Sequence, residues 1–260
     1  MGKVLEKITE KEEAFIRKQK VFFVATAALS PDHHVNVSPK APGTGAIVLD
    51  PHTVAYADLS GSGAETAAHV MENERMTLMF CNIESGPPQI LRLHGKARVV
   101  VKEKIAPSML AKFPKSITKS HGFRCIYILK VHRVSSSCGY SLPVMHFEKY
   151  RNILEEFTEK KGEEGMKDYG VYKNSFSIDG LPSLGLMRNK DKSIAPNPQD
   201  GYIFGKEVES GGTTSAYIIP NNGLRRSYLT SQEGLVMLAV GTLLGSAISG
   251  LYFQYFCDLT

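Results

Sequence analysis

The sequence is poor in cysteine and has no cysteine pattern. Cys81, Cys125, Cys138 and Cys257 are the only four. They are widely spaced and form no C-x-x-C pair, which excludes the usual structural zinc site. Four free thiols fit a reducing compartment better than an oxidising one. An excess of one charge is also missing. The net charge is +5 over 260 residues, and basic residues alternate with acidic ones, as in KITEKEEAFIRKQK. There is no basic stripe to track a nucleic acid, so no nucleic-acid partner is expected. The opening MGKVLEKITEKEEAF lacks the apolar stretch of a secretory signal. Glu6 stands where a myristoylation site needs Ser or Thr. No internal repeat is found.

The hydrophobic fraction, 42%, is that of an ordinary globular core. The length suits one good-sized domain with appendages. The last of these appendages is the most distinctive. From Gly234 the chain reads GLVMLAVGTLLGSAISGLYFQYF, uncharged until Asp258. A run of about 20 apolar residues matches the hydrocarbon thickness of a bilayer, and Tyr252 and Tyr255 sit where an interfacial aromatic belt belongs. Arg225 and Arg226 precede the run, so the main domain is expected to face the cytosol. The alternative is a buried core helix, which at this length normally keeps a polar stripe. Gly241, Gly245 and Ser249 share one helix face and would let a second helix approach.

The body reads mainly as strands. A helix is expected over Glu6–Gln19, with Ile8, Phe15 and Ile16 as anchors. VFFVATAAL is a strand ending at the Ser30–Pro31–Asp32 turn, and His34–Ser38 is its hairpin partner. Further strands are expected at 46–49, 53–57, 75–82, 89–102 and 124–134. Helical stretches are expected at 65–72, 107–118 and 145–161, the last with Phe147, Tyr150, Ile153, Leu154 and Phe157 at helical spacing and Gly162 ending it. Strands in close succession with few crossover helices point to an antiparallel barrel. The predicted organisation is an N-terminal helix (1–20), a barrel (21–145), a helix and extended segment packed on it (146–185), a linker (186–233) and a transmembrane helix (234–256).

Four stretches, FVATAALSPDHHVNVSPK, VAYADLSGSGAETAAHVMENERMTLMF, ILRLHGKARVV and GFRCIYILKVHRVSSSCGYSLP, resemble the FMN-binding split-barrel superfamily, in particular the pyridoxamine 5′-phosphate oxidase-like proteins. NSFSIDGLPSL resembles a segment of fungal members. The resemblance covers about 11–144. It implies a mainly β fold, a six-stranded antiparallel split barrel with flanking helices, a homodimer, and an FMN at the dimer interface. It places the FMN phosphate against the strand ending in Ser38 and Lys40 and against the turn Ser60, Gly61, Ser62, Glu65 and Thr66.

The residues themselves allow that use. Gly61 and Gly63 leave room for a ligand close to the backbone, the hydroxyls of Ser60, Ser62 and Thr66 can donate to an anion, and Lys40 can supply charge. The amides of a helix N-terminus at Glu65 and Thr66 suit phosphate. A plain strand-to-helix turn explains the same residues. Arg92 and His94 share one strand face, opposite Leu91 and Leu93, and face either the cleft, where Arg92 is a further candidate to bind the cofactor, or outward.

Two departures stand out. Oxidases acting on pyridoxamine phosphate carry an Arg-Lys pair where this chain has Glu65 and Thr66, and a carboxylate repels a phosphate beside it. The C-terminal segment that completes their substrate site, with its Trp and Arg residues, has no counterpart, and this chain has no tryptophan at all. Pyridoxal phosphate synthesis is therefore not expected.

His33–His34 reads as solvated hairpin. His94 and His132 are the candidate ligands for haem, the alternative cofactor that some split-barrel relatives bind. No metal site is expected, and the Ser137–Cys138–Gly139 thiol has no cationic neighbour in sequence to activate it. Two functions fit: a flavin-dependent oxidoreductase, or a non-catalytic, membrane-anchored barrel that binds a small ligand or a partner protein.

Overall fold

The computed structural model describes residues 2–41 and 45–189, and the backbone of 202–203 and 206–207. The seven strands read from the sequence pattern all form: β2 (Phe22–Ala27), β3 (Val35–Lys40), β4 (Ile47–Asp50), β5 (Thr53–Leu59), β6 (Arg75–Cys81), β7 (Ile90–Val101) and β8 (Phe123–Ser137). An eighth, β1 (Lys3–Leu5), pairs with the end of β8, where only a helix was expected. They make one antiparallel sheet in the order β3-β2-β6-β7-β8-β5-β4. With its flanking helices this is consistent with a split barrel, built from eight strands rather than six.

β8 is the spine of the sheet. β7 pairs with it from Val101↔Cys125 to Ile90↔Ser137, while β5 takes the first half of its other edge and β1 the second. The β7–β8 register shifts between His94 and Gly95, which leaves His132 as the extra residue of a bulge. A Cβ at Gly95 would lie 2.1 Å from the Lys130 carbonyl oxygen, so only glycine permits this close approach.

Alternation sets the core. Phe22, Val24, Leu78, Phe80, Leu91, Leu93, Tyr56 and Tyr127 are buried on one face. The Tyr56 and Tyr127 rings stack at 4.9 Å. β5 and the first half of β8 are buried on both faces, because Ile105 and Phe113 cover Ala55, Ala57, Ile126 and Ile128 from outside. Those two come from the stretch around α3 (Pro107–Leu110) and α4 (Lys115–Thr118), two short helices in place of the single one expected.

The N-terminal helix α1 (Glu10–Lys18) starts at Thr9 with a capping box to Glu12. The strand-to-helix turn leads into α2 (Glu65–Asn73) as expected. The 145–161 helix is corrected. Residues 145–152 are not helical: the Met145 amide donates to the Ile83 carbonyl at 2.6 Å, and Phe147 packs on Tyr150 at 4.7 Å. Helix α5 runs Ile153–Asn174 and is broken at Gly162, whose φ of +67° suits glycine. A short α6 follows (Leu184–Arg188). Farther on, β9 (Tyr202–Ile203) pairs with β10 (Lys206–Glu207).

Among the described residues no helix is long and apolar enough to cross a membrane. The expected membrane helix at 234–256, with Gly241, Gly245 and Ser249, lies outside the described residues, as does most of the 186–233 linker. Cys81 and Cys125 are buried free thiols and Cys138 is an exposed one.

Candidate functional site

Two charges of opposite sign sit inside apolar strands, Asp58 in β5 and Arg124 in β8. The register places Asp58 opposite Cys125, beside Arg124. The Arg124 Nε donates to Asp58 Oδ2 at 2.9 Å, and Nη2 lies 2.7 Å from the same oxygen. Lys40, at the end of β3, donates to Asp58 Oδ1 at 2.7 Å. Burial pushes the Asp58 carboxyl up, but the Arg124 and Lys40 charges outweigh it and hold the group below its ordinary range. Burial alone would lower the Arg124 guanidinium; Asp58 more than reverses that. Burial pushes the neighbouring Cys125 thiol up to about 12, which leaves it protonated.

Asn174, at the end of α5, ties this pair to the turn before α2. Its Oδ1 accepts from Arg124 Nη1 at 3.0 Å. Its Nδ2 lies 2.9, 3.2 and 3.3 Å from the carbonyl oxygens of Gly61, Ser62 and Gly63. Arg124 Nη1 also donates to the Gly63 carbonyl at 3.1 Å.

The segment beyond Asn174 folds over the turn. Phe176 bridges to Pro182, and the Ser183 and Ser177 amides donate to Ser175 and Leu181, making a hairpin turned at Gly180 with φ +75°. Ser183 Oγ donates to the Ala64 carbonyl at 2.9 Å. The Ile178 amide donates to Glu65 Oε1 at 3.3 Å, and the Ala64 amide to Glu65 Oε2 at 3.1 Å. Asp179 accepts from the His34 amide and ring at 2.9 and 2.6 Å. His34, expected to be solvated, is exposed but paired with this buried carboxylate.

A chain of polar side chains links β2, β3 and α2. Asn36 Nδ2 donates to Thr26 Oγ1 and Thr66 Oγ1, each at 3.0 Å, and Ser38 Oγ donates to Asn36 Oδ1 at 3.0 Å. Thr26 hydrogen-bonds His69 Nδ1 at 3.0 Å. His69 is fully buried, and its Nε2 has no hydrogen-bond partner among the described residues. Burial holds the His69 ring below its ordinary range, against the pull of Asp179, Glu65 and Glu72.

The fold thus gathers most of the predicted site. Ser38 and Thr66 meet through Asn36, Lys40 joins the turn through Asp58 and Arg124, and Ser60, Gly61, Ser62 and Glu65 form the turn itself. Arg92 stands apart. The row Lys40↔Phe22↔Phe80↔Leu91 fixes one face, so Arg92, next to Leu91, is on the opposite face, where Nη1 donates to Ser137 Oγ at 3.2 Å. His94 is on that face too. Both ring nitrogens are engaged, by Thr77 at 3.1 Å and Ser135 at 3.2 Å, which leaves neither for haem iron. His132 is exposed at the bulge. Among the described residues no group of three metal-ligating side chains occurs.

The turn does not fit a flavin phosphate as it stands. Its cation is neutralised by Asp58, and a carboxylate occupies its helix N-terminus. A cavity of about 640 Å³ is lined by Lys40 together with Lys20, Lys149 and Arg151 and with the apolar Val21, Pro39, Phe147 and Tyr150, among others. Sequence reasoning missed Asp58, Arg124 and Asn174. The legible signal was two lone charges of opposite sign inside AYADL and FRCIYIL; nothing local marked Asn174.

The family model for pyridoxamine 5′-phosphate oxidase matches residues 8–138. A pyridoxamine 5′-phosphate oxidase family protein of Aspergillus flavus, ustO, is 33% identical over 236 residues, spanning 82% of this chain and 92% of that one. The chain belongs to the pyridoxamine 5′-phosphate oxidase family. Among solved structures, HupZ of Group A Streptococcus is 18% identical with a TM-score of 0.37, covering 49% of this chain and 91% of its own. An FMN-binding protein from Syntrophomonas wolfei is 13% identical with a TM-score of 0.33, covering 48% of this chain and 84% of its own. At these TM-scores neither likeness carries an argument about function.

Proposed function

We propose that this chain is a flavin-binding split-barrel protein that does not oxidise pyridoxamine 5′-phosphate. The observation that carries the reading is the family match over 8–138, which spans every strand from β2 to β8. The cavity lined by Lys40 supports it: Phe147, Tyr150, Val21 and Pro39 offer apolar surface to a planar ring system, Lys20, Lys149 and Arg151 add cationic groups, and its size is in the range of small-molecule sites. FMN is the flavin the family implies; haem is the weaker alternative, because His94 is fully engaged. A bound flavin supplies hydride transfer, which would make the chain an oxidoreductase. The lack of tryptophan argues against the family's Trp-bearing substrate segment.

The test is the absorbance spectrum of purified full-length chain after gel filtration with FMN, with riboflavin, and with haem. Flavin absorbance should co-elute with the chain, and pyridoxamine 5′-phosphate should not be turned over above a heat-killed control. A colourless chain at millimolar flavin would leave the second reading, a non-catalytic ligand- or partner-binding barrel. That reading is favoured by the internally satisfied α2 turn.

Two further elements belong to this reading. A homodimer is supported by the outer face of β3, where Val35 and Val37 are 72% and 60% exposed. Attachment to a membrane, with the barrel on the cytosolic side, is supported by the uncharged run from Gly234.

A further inference from the structure

We infer that the α2 turn of this chain is closed to phosphate, its anion position taken by the Glu65 carboxylate, so that a flavin is recognised here without its 5′-phosphate. This deepens the flavin reading above and rests on it for the binding measurement.

Three observations meet at the turn. Glu65 spends both carboxylate oxygens on backbone amides, Oε2 on Ala64 and Oε1 on Ile178. At the first residue of α2 this carboxylate takes the amide just before the helix and places a negative charge at the positive end of the helix dipole, where a bound anion would otherwise sit. The Gly61, Ser62 and Gly63 carbonyls are held by Asn174 and Arg124 from the protein side. Finally, the nearby cations are committed: Asp58, 1% exposed, takes both Arg124 and Lys40.

A phosphate entering this turn would meet a like charge at contact distance, with Lys40 and Arg124 already committed to Asp58. Thr66, 6% exposed, accepts from Asn36. What the turn holds instead is the chain's own 175–183 hairpin, through Glu65 and Ser183.

The experiment titrates riboflavin and FMN into the full-length wild type, Glu65→Gln and Thr66→Ala, following flavin fluorescence. A second arm probes the wild type with inorganic phosphate alone, reading protection of the 175–183 hairpin from proteolysis against chloride of equal ionic strength. The wild type should bind the two flavins within about threefold of each other. Glu65→Gln should shift the preference towards FMN by about tenfold, Thr66→Ala should leave the ratio unchanged, and inorganic phosphate should give no protection.

A wild-type preference for FMN of about tenfold or more would overturn the inference, whether or not Thr66→Ala changes it. If no protein binds either flavin, the flavin reading fails, and the phosphate arm decides the closure by itself. Protection of the wild-type hairpin by phosphate overturns it; absence of protection, with faster cleavage in a third variant, Glu65→Ala, which removes both acceptors of the Ala64 and Ile178 amides, upholds it.

Discussion

Arg124 and Asp58 meet as a buried pair, guanidinium to carboxylate at 2.7 Å, with side chains 7% and 1% exposed. They are 66 residues apart in sequence and neighbours across two paired strands. Removing one partner of such a pair leaves the other charge buried without compensation, at a cost of roughly 3–5 kcal/mol. Asp58→Asn should therefore lower the urea midpoint sharply. It should also loosen the turn, because Arg124 carries both Asn174 and the Gly63 carbonyl. Equilibrium unfolding followed by circular dichroism checks the first effect, and amide exchange at 61–63 the second.

The same pair sets an acid limit. The Asp58 carboxyl is held below its unfolded value of about 3.9. The unfolded chain then takes up the proton first as pH falls. Stability from this group is complete above about pH 5 and is lost as pH drops through about 4 and below. Unfolding midpoints measured from about pH 5 down to about pH 3 should fall steeply for the wild type and less for Asp58→Asn. A residual slope should persist from Asp50, held low by the Thr53 hydroxyl and the His52 amide. Equal slopes in the two proteins would place the acid sensitivity elsewhere.

Gly95→Ala tests the bend in the sheet. The added Cβ would meet the Lys130 carbonyl oxygen at 2.1 Å, and backbone cannot move aside as a side chain can. A loss of about 3 kcal/mol is expected, at the upper end for overpacking. Thermal denaturation measures it. A near-neutral result would mean that β7 and β8 slide at the bulge.

Ending the chain before Gly234 should yield a protein that needs no detergent and keeps the barrel's circular dichroism and cooperative unfolding. The motive is the switch to an uncharged apolar run at that residue. Aggregation or loss of cooperativity would assign the run to a folded core. Sedimentation of the same shortened chain should show a dimer at tens of micromolar; a monomer would remove the interface proposed for β3.

The sequence by itself determined the strand framework, the α2 turn and the family. Alternating apolar residues, Asp-Pro and Ser-Pro turns, and the stretch VAYADLSGSGAETAAHV act over a few residues, so their meaning is local. It also placed Glu65 as the residue at odds with a phosphate. The tertiary structure decided what those residues do. It turned Lys40 to Asp58, gave Glu65 the Ile178 amide 113 residues away, and put Arg92 on the face opposite Lys40. It also drew 145–152 out of helix. The spacing of Phe147, Tyr150 and Ile153 suits a helix, but Met145 pairs with Ile83 and Phe147 packs on Tyr150 in a non-helical segment lining the cavity beside Lys40. The reason is physical. A buried charge or amide must find a partner once water is removed, and packing brings that partner from distant segments that no local pattern identifies.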